Sequence, residues 1–224
     1  MRFGFENRRQ AGKVLAEKLT SYADRDDVVV LALPRGGVPV AFEVAQLLHA
    51  PLDVFVVRKL GVPGQEELAL GAIAPGGERV LNFGLVRALG ITQPMIERIT
   101  ERETIELKRR ESLYRASLHP VEIRGKTVVV VDDGLATGAT MQVAVEALKR
   151  NEPREIVVAV PIGSRQTCAE FANKADVLCV CAVTPEPFYG VGAWYQDFSQ
   201  TTDDEVRELL DQARRTREAR RSAA

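Results

Sequence analysis

The chain has 224 residues, 46% hydrophobic and 27% charged, with a net charge of −1 and a pI near 6.2. That length and apolar content are enough for one complete core, read as a single domain over 1–224. The charge balance offers no basic field to nucleic acid or to an anionic membrane, so no nucleic-acid or membrane partner is expected. No run of about twenty apolar residues occurs, and the start from Met1 to Arg9 is charged rather than signal-like. A cytoplasmic protein is expected, with small molecules or a second copy of itself, as a homodimer, for partners.

Asn7 to Tyr22 reads as a helix with Ala11, Val14, Leu15 and Leu19 on one face, and Val28 to Leu33 as a buried strand. A helix from about Val38 to Leu48 and a strand from Leu52 to Val57 follow. Arg58 to Glu67 reads as a loop, because Gly61, Pro63 and Gly64 interrupt it. Short apolar pieces around Ala74-Pro75-Gly76-Gly77, between Gly71 and Asn82, look like a protruding hairpin. Thr92 to Leu118 is densely charged with a thin stripe of Ile96, Ile99, Leu107, Tyr114 and Leu118, the pattern of one long, mostly exposed helix.

Downstream come a strand ending at Val131, a helix from Thr140 to Arg150, a strand from Glu155 to Pro161, a helix from Arg165 and a strand from Val177 to Val183. Such alternation predicts an α/β fold: a mostly parallel twisted sheet, right-handed crossovers and flanking helices, with the core over about 28–183. Cys168, Cys179 and Cys181 form neither a disulfide framework nor a convincing metal set, and read as core packing. His49 and His119, near predicted helix ends, suggest no metal site. The tail from Asp203, acidic first and basic last, suits a helix macrodipole.

The richest stretch is Val128-Val129-Val130-Val131-Asp132-Asp133-Gly134-Leu135-Ala136-Thr137-Gly138-Ala139-Thr140. Four β-branched residues mark a strand covered on both faces, so the two acids emerge at its carboxyl end, where open α/β sheets bind ligands. Ala136, Thr137, Gly138, Ala139 and Thr140 form a turn whose amides can converge on a phosphate at the start of the next helix. Asp132 and Asp133 could accept hydrogen bonds from vicinal hydroxyls or hold a hydrated divalent cation. The ligand implied is a phosphorylated sugar; the plainer alternative is a strand-to-helix junction in which the acids only cap the helix. A second anion site is suggested by Leu33-Pro34-Arg35-Gly36-Gly37, where Gly36 and Gly37 permit close backbone approach and Arg35 adds charge.

This stretch resembles the phosphoribosyl pyrophosphate signature of type I phosphoribosyltransferases, in a form close to that of the adenine enzymes. The resemblance implies the type I phosphoribosyltransferase fold and the expectation of an uncharacterised branch of that family. Asp132 and Asp133 would then hold the ribose 2′- and 3′-hydroxyls and take part in binding Mg²⁺, and the loop 136–140 would hold the 5′-phosphate. The Arg35 loop is similar to the family's pyrophosphate loop, which implies a cis peptide between Pro34 and Arg35. Arg58 to Glu67 would correspond to the mobile loop over the reacting centre, with Lys59 on the leaving diphosphate and Glu66 or Glu67 on the acceptor's proton; Glu67 could equally cap or pair within the hairpin. One departure stands out: where hypoxanthine-guanine enzymes carry an acid in the phosphate loop, this chain has Ala136, which leaves the acceptor open.

After the last strand, Pro185 to Phe198 concentrates five aromatic residues among glycines and prolines. Its position is similar to the hood of hypoxanthine-type enzymes, over 184–200 here with the N-terminal segment as a further candidate part. Trp194 and Tyr195 are candidate base contacts, and packing of the hood onto the core is the alternative. The expected function is Mg²⁺-dependent transfer of ribose 5-phosphate from phosphoribosyl pyrophosphate to a nitrogenous base. A non-catalytic sensor of the same compound and a hydrolase using the same pocket are the competing expectations.

Overall fold

A computed structural model of the protein describes residues 4–115, 120–173 and 177–223, without the side chains of Glu66, Glu67, Arg221 and Ala223. Leu118 and His119 lie outside the described residues. Five parallel strands form the main sheet in the order β2-β1-β6-β7-β8: β1 (Val28–Ala32), β2 (Leu52–Val54), β6 (Thr127–Val131), β7 (Glu155–Ile162) and β8 (Val177–Val183). Every residue of β1 and of β6 is buried, as their unbroken apolar runs require when helices cover both faces. Alternate residues feed opposite cores. Val28, Val30, Val129 and Val131 face α1 (Arg8–Glu17), α2 (Gly37–Leu48) and α7 (Asp203–Ala223), while Val29, Val128, Val130 and Val158 face α5 (Ala139–Lys149) and α6 (Arg165–Ala172).

The first helix begins where Asn7 caps it, its side chain accepting from the Gln10 amide at 3.0 Å. It ends at Glu17, with a 3₁₀ turn over Thr20–Tyr22 taking up the rest of the expected helix. Gly12 allows α1 to lie directly on α2, since a β-carbon there would stand 2.6 Å from the Val40 carbonyl.

The segment read as a loop is instead half of a second sheet. β3 (Arg58–Val62), β4 (Gln65–Ile73) and β5 (Arg79–Leu81) pair antiparallel. The glycines that suggested a loop serve strand geometry. Gly61 lies where the β3–β4 register shifts, and Gly64 turns the chain at φ 78°. Leu60, Val62 and Leu70 are buried, and that burial outweighs the local turn propensity. The expected hairpin is the β4–β5 pair, closed by a 3₁₀ turn over Pro75–Gly77.

The short helix α3 (Phe83–Ala88) then leads to α4 (Gln93–Arg115), which buries the expected Ile96, Ile99, Leu107 and Tyr114. α4 also buries Glu103, whose carboxylate takes two hydrogen bonds from Arg58 at 2.6 and 3.0 Å and so fastens β3 to the helix. At its far end Arg115 pairs with buried Asp53 at 3.0 Å and donates to the Val54 carbonyl at 2.6 Å. These ties explain why so polar a helix is ordered along its length. No helix among the described residues is long and apolar enough to cross a membrane.

Candidate active site

The chain leaves β1 through α2 to β2 on one side and leaves β6 through α5 to β7 on the other. The β1–β6 pair is therefore the point where strand order reverses, and the loops above it must part to opposite faces, opening a crevice at the carboxyl ends. Both loops singled out from sequence start there. Ala32 is in register with Val131, and the Leu33 amide donates to the Val131 carbonyl at 2.9 Å.

Asp132 and Asp133 follow β6 directly. The Asp132 carboxylate accepts from the Asp133 amide at 2.8 Å. Burial, and then the neighbouring Asp133 charge, push the Asp132 carboxyl well above the ordinary carboxylate range. Burial raises Asp133 too, but a hydrogen bond from Arg8 opposes the rise. Arg8 Nε donates to Asp133 Oδ2 at 2.8 Å, and its Nη1 to the Ser199 carbonyl at 2.7 Å. The same guanidinium lies 4.0 Å from the centroid of the Phe198 ring. Two acids thus share one counter-charge, an excess of negative charge suited to a cation or to hydroxyl donors.

The phosphate-type loop is held from below. Thr167 of α6 donates its hydroxyl to the Ala136 carbonyl at 2.6 Å, and the Leu135 amide donates to the Ile162 carbonyl at 2.8 Å. Gly138, at φ 72°, caps α5 with the side chains of Thr167 and Phe171 filling the space a β-carbon would need. Ala136, Thr137, Ala139 and Thr140 are exposed above this floor. The first amides of α5, which begins at exposed Ala139 and Thr140, have no intrahelical partner and no side-chain cap, the arrangement that accepts an anion.

On the facing loop the Pro34–Arg35 peptide is cis, as the family resemblance implies. A β-carbon on Gly36 would overlap the Asp133 carboxylate, so glycine is what lets the two loops touch. Gly37 has a different part from the one expected of it. Its amide is committed to the Leu33 carbonyl at 3.1 Å, and its missing side chain lets α2 start against β6, since a β-carbon would stand 2.7 Å from the Val131 carbonyl. Arg35 leans toward Asp203 at the start of α7, 3.9 Å away, and Tyr114 donates its hydroxyl to the same carboxylate at 2.6 Å.

The remaining candidates lie further out. Lys59 is exposed on β3, in the antiparallel sheet rather than the parallel one. The backbone of Glu67 belongs to β4, and its side chain lies outside the described residues. Trp194 is half-buried in a 3₁₀ turn. Tyr195 is 7% exposed with its ring against Phe5 and Phe198, and its hydroxyl donates to the Asp133 carbonyl at 2.6 Å. Packing, the alternative weighed for the hood, describes Tyr195: it braces the acid pair and has no free face for a base.

The N-terminal segment joins the hood, because Phe5 exchanges backbone hydrogen bonds with Trp194 and Gln196 at 2.7 and 2.8 Å. Arg8 was invisible as a site residue in the sequence. Its acidic partner lies 125 positions away, and no local pattern marks it apart from its place in the first turn of a capped helix. Among the described residues, no group of three or more acidic, histidine or cysteine side chains could hold a metal alone.

Comparison with known proteins bears directly on this crevice. Residues 5–192 match the family model described as the phosphoribosyl transferase domain. The chain belongs to that family. A Mycobacterium tuberculosis protein with a provisional phosphoribosyl transferase name is 47% identical over 211 residues, 94% of this chain. The chain spans about half the length of that curated relative, 47%. The crystal structure of TT1426 from Thermus thermophilus superposes with a TM-score of 0.80 at 42% identity, covering 94% of this chain and 98% of that one. A hypothetical protein from Neisseria gonorrhoeae solved with bound ppGpp has a TM-score of 0.50 at 17% identity, over 95% and 96% of the two chains, a likeness of fold alone.

Proposed function

We propose that the protein is a Mg²⁺-dependent phosphoribosyltransferase that moves ribose 5-phosphate from phosphoribosyl pyrophosphate to a nitrogen heterocycle, a nucleobase first of all, and releases pyrophosphate. The observation that carries this is the meeting, at one strand-order reversal, of paired carboxylates, an uncapped helix start and a glycine loop with an arginine. In this reading Asp132 and Asp133 accept hydrogen bonds from the ribose hydroxyls, and the amides and hydroxyls of 136–140 hold the 5′-phosphate. Arg35, the Gly36 backbone and Lys59 receive the diphosphate. As the C1–oxygen bond breaks, the leaving group takes the electron pair, and the fixed positive charge near it lowers the barrier. The acceptor nitrogen bonds to C1 and loses its proton, with Glu67 the candidate to take it.

The acid pair fits magnesium. Hard oxygen donors with surplus negative charge, too few to form a cage, suit an ion that fills its other positions with substrate oxygens and water. When bound, the ion supplies charge to the diphosphate and orders the ribose oxygens. Ala136, where the hypoxanthine-guanine enzymes of the resemblance carry an acid, leaves the choice of acceptor open.

The test is pyrophosphate release from phosphoribosyl pyrophosphate and Mg²⁺ across a panel of purines, pyrimidines and other nitrogen heterocycles, alongside calorimetry. Acceptor-dependent release supports transfer, release without acceptor points to hydrolysis, and tight binding without release points to sensing. No magnesium-assisted uptake, or uptake unchanged when Asp132 and Asp133 both become asparagine, overturns the proposal.

A further inference from the structure

Three thiols meet beside the phosphate loop and have no part in the proposed transfer. Cys179 and Cys181 alternate along β8 and so share one of its faces. Cys168, in the first turn of α6, belongs to the core cluster against which both of them pack. A β-carbon at Gly163, just past β7, would stand 2.6 Å from the Cys168 sulfur and 3.3 Å from the Cys181 sulfur, so these two atoms flank one small space. All three cysteines are free. β8 is an edge strand, Cys179 and Cys181 keep partial solvent contact, and Cys168 is 9% exposed. Core packing explains their burial, but not the meeting of sulfur with sulfur.

We propose that this cluster is an oxidation site, at which a peroxide converts Cys168 and Cys181 into an intramolecular disulfide. Cys168 is the attacking sulfur. Hydrogen bonds from the Cys179 and Cys181 thiols hold its own thiol well below the usual range, and the start of α6 adds the positive end of a helix dipole. Its thiolate takes one peroxide oxygen, the O–O bond breaks, and hydroxide leaves to be protonated to water, giving a sulfenic acid. The Cys181 sulfur then attacks the Cys168 sulfur, the S–O bond breaks, and a second water leaves with the Cys181 proton. Two thiols lose two electrons and two protons, and the peroxide becomes two waters.

The site reports to the phosphate loop. Thr167, next to Cys168, carries the hydroxyl that holds the Ala136 carbonyl at 2.6 Å, and Thr167 and Phe171 support Gly138. Shortening the sulfur separation to about 2 Å draws the first turn of α6 toward β8 and so shifts Thr167, which that carbonyl depends on. This link to the loop, unlike the thiol chemistry, rests on the phosphoribosyl reading.

The experiment treats the full reduced chain with hydrogen peroxide. Thiols are counted in denaturant, intact mass is recorded, and a non-reducing peptide map locates the crosslink. The expected result is loss of two of the three thiols, a mass lower by two hydrogens and a Cys168–Cys181 peptide. Cys179→Ser, whose hydroxyl can still donate to Cys168, should form the same crosslink and lose both its thiols, while Cys168→Ser and Cys181→Ser should form no crosslink. Three surviving thiols, oxygen addition without a crosslink, or a disulfide only between molecules overturns the proposal. Oxidised protein should bind Mg²⁺-phosphoribosyl pyrophosphate about fivefold more weakly, a coupling at the low end of those between sites, with recovery in dithiothreitol. Equal affinity in the two forms removes the link to the loop. If neither form binds, the phosphoribosyl reading fails, and the peptide map still decides the thiol site.

Discussion

Replacing Arg8 with methionine should destabilise the protein by an amount that depends on pH, because Arg8 is the counter-charge of an acid pair that burial already disfavours. The side chains of Arg8 and Asp133 are 11% and 17% exposed, between the surface and fully buried cases. Exposed pairs contribute about 0–1 kcal/mol, while stranding one member of a buried pair costs about 3–5 kcal/mol. Methionine keeps part of the packing against Phe198 and loses the donor to the Ser199 carbonyl. A loss of about 2 kcal/mol follows from that intermediate burial. For a chain of this size each kcal/mol moves Tm by roughly 2–4 °C, so Tm should fall by about 4–8 °C at neutral pH.

The pH dependence has a definite sign. Arg8 opposes the upward shift of Asp133, so without it the folded-state pKa of Asp133 rises further above its unfolded value. Native protein then favours the protonated acid. The penalty is absent below the unfolded pKa and grows as pH rises through the folded one. The Tm deficit of Arg8→Met relative to the parent should therefore shrink as pH falls from neutral into the carboxylate range. Thermal denaturation of parent, Arg8→Met, Asp133→Asn and the double variant measures this. The two substitutions should be strongly non-additive, since each removes the same pair. Additive losses, or a deficit constant in pH, would refute the electrostatic account.

Asp132→Asn should raise the Tm of the ligand-free protein at neutral pH, because it removes a carboxylate that burial and Asp133 penalise. A gain of about 1 kcal/mol is typical when a strained functional group is relieved, and it should fade on acidification, as the parent's acid becomes protonated. Magnesium-assisted uptake of phosphoribosyl pyrophosphate, read by calorimetry, should be lost in the same variant. Gly36→Ala and Gly37→Ala should act through different neighbours. The first displaces the Asp133 carboxylate and disturbs its pair with Arg8, so it should abolish uptake and cost about 2 kcal/mol, as losing that pair does, whereas the second presses on the β6 backbone and should cost about 1–3 kcal/mol, as overpacking does. Tyr195→Phe leaves the Asp133 carbonyl without its donor, so a loss of about 1–2 kcal/mol in denaturant titrations should accompany weaker uptake.

Sequence alone determined the parts whose causes are local. Unbroken valine runs can only be strands with both faces covered, so β1, β6 and the parallel sheet were legible, as were the acid pair and the glycine- and threonine-rich turn that leave β6. The stripe of Ile96, Ile99, Leu107 and Tyr114 likewise located α4. Tertiary structure decided what depends on partners distant in the chain. Gly61 and Gly64 look like loop residues until Leu60 and Val62 find a core, and only then do they become a register shift and a turn. Gly36 and Gly37 are alike in sequence, yet one faces a carboxylate and the other a carbonyl of the neighbouring strand. Arg8 and Tyr195 reached Asp133 only because the reversal of strand order between β1 and β6 folds the N-terminal segment and the hood together over the same crevice. Short-range patterns record the preferences of backbone and side chain. The counter-charge, the brace and the meeting of three sulfurs are properties of distances that no neighbour in the chain can specify.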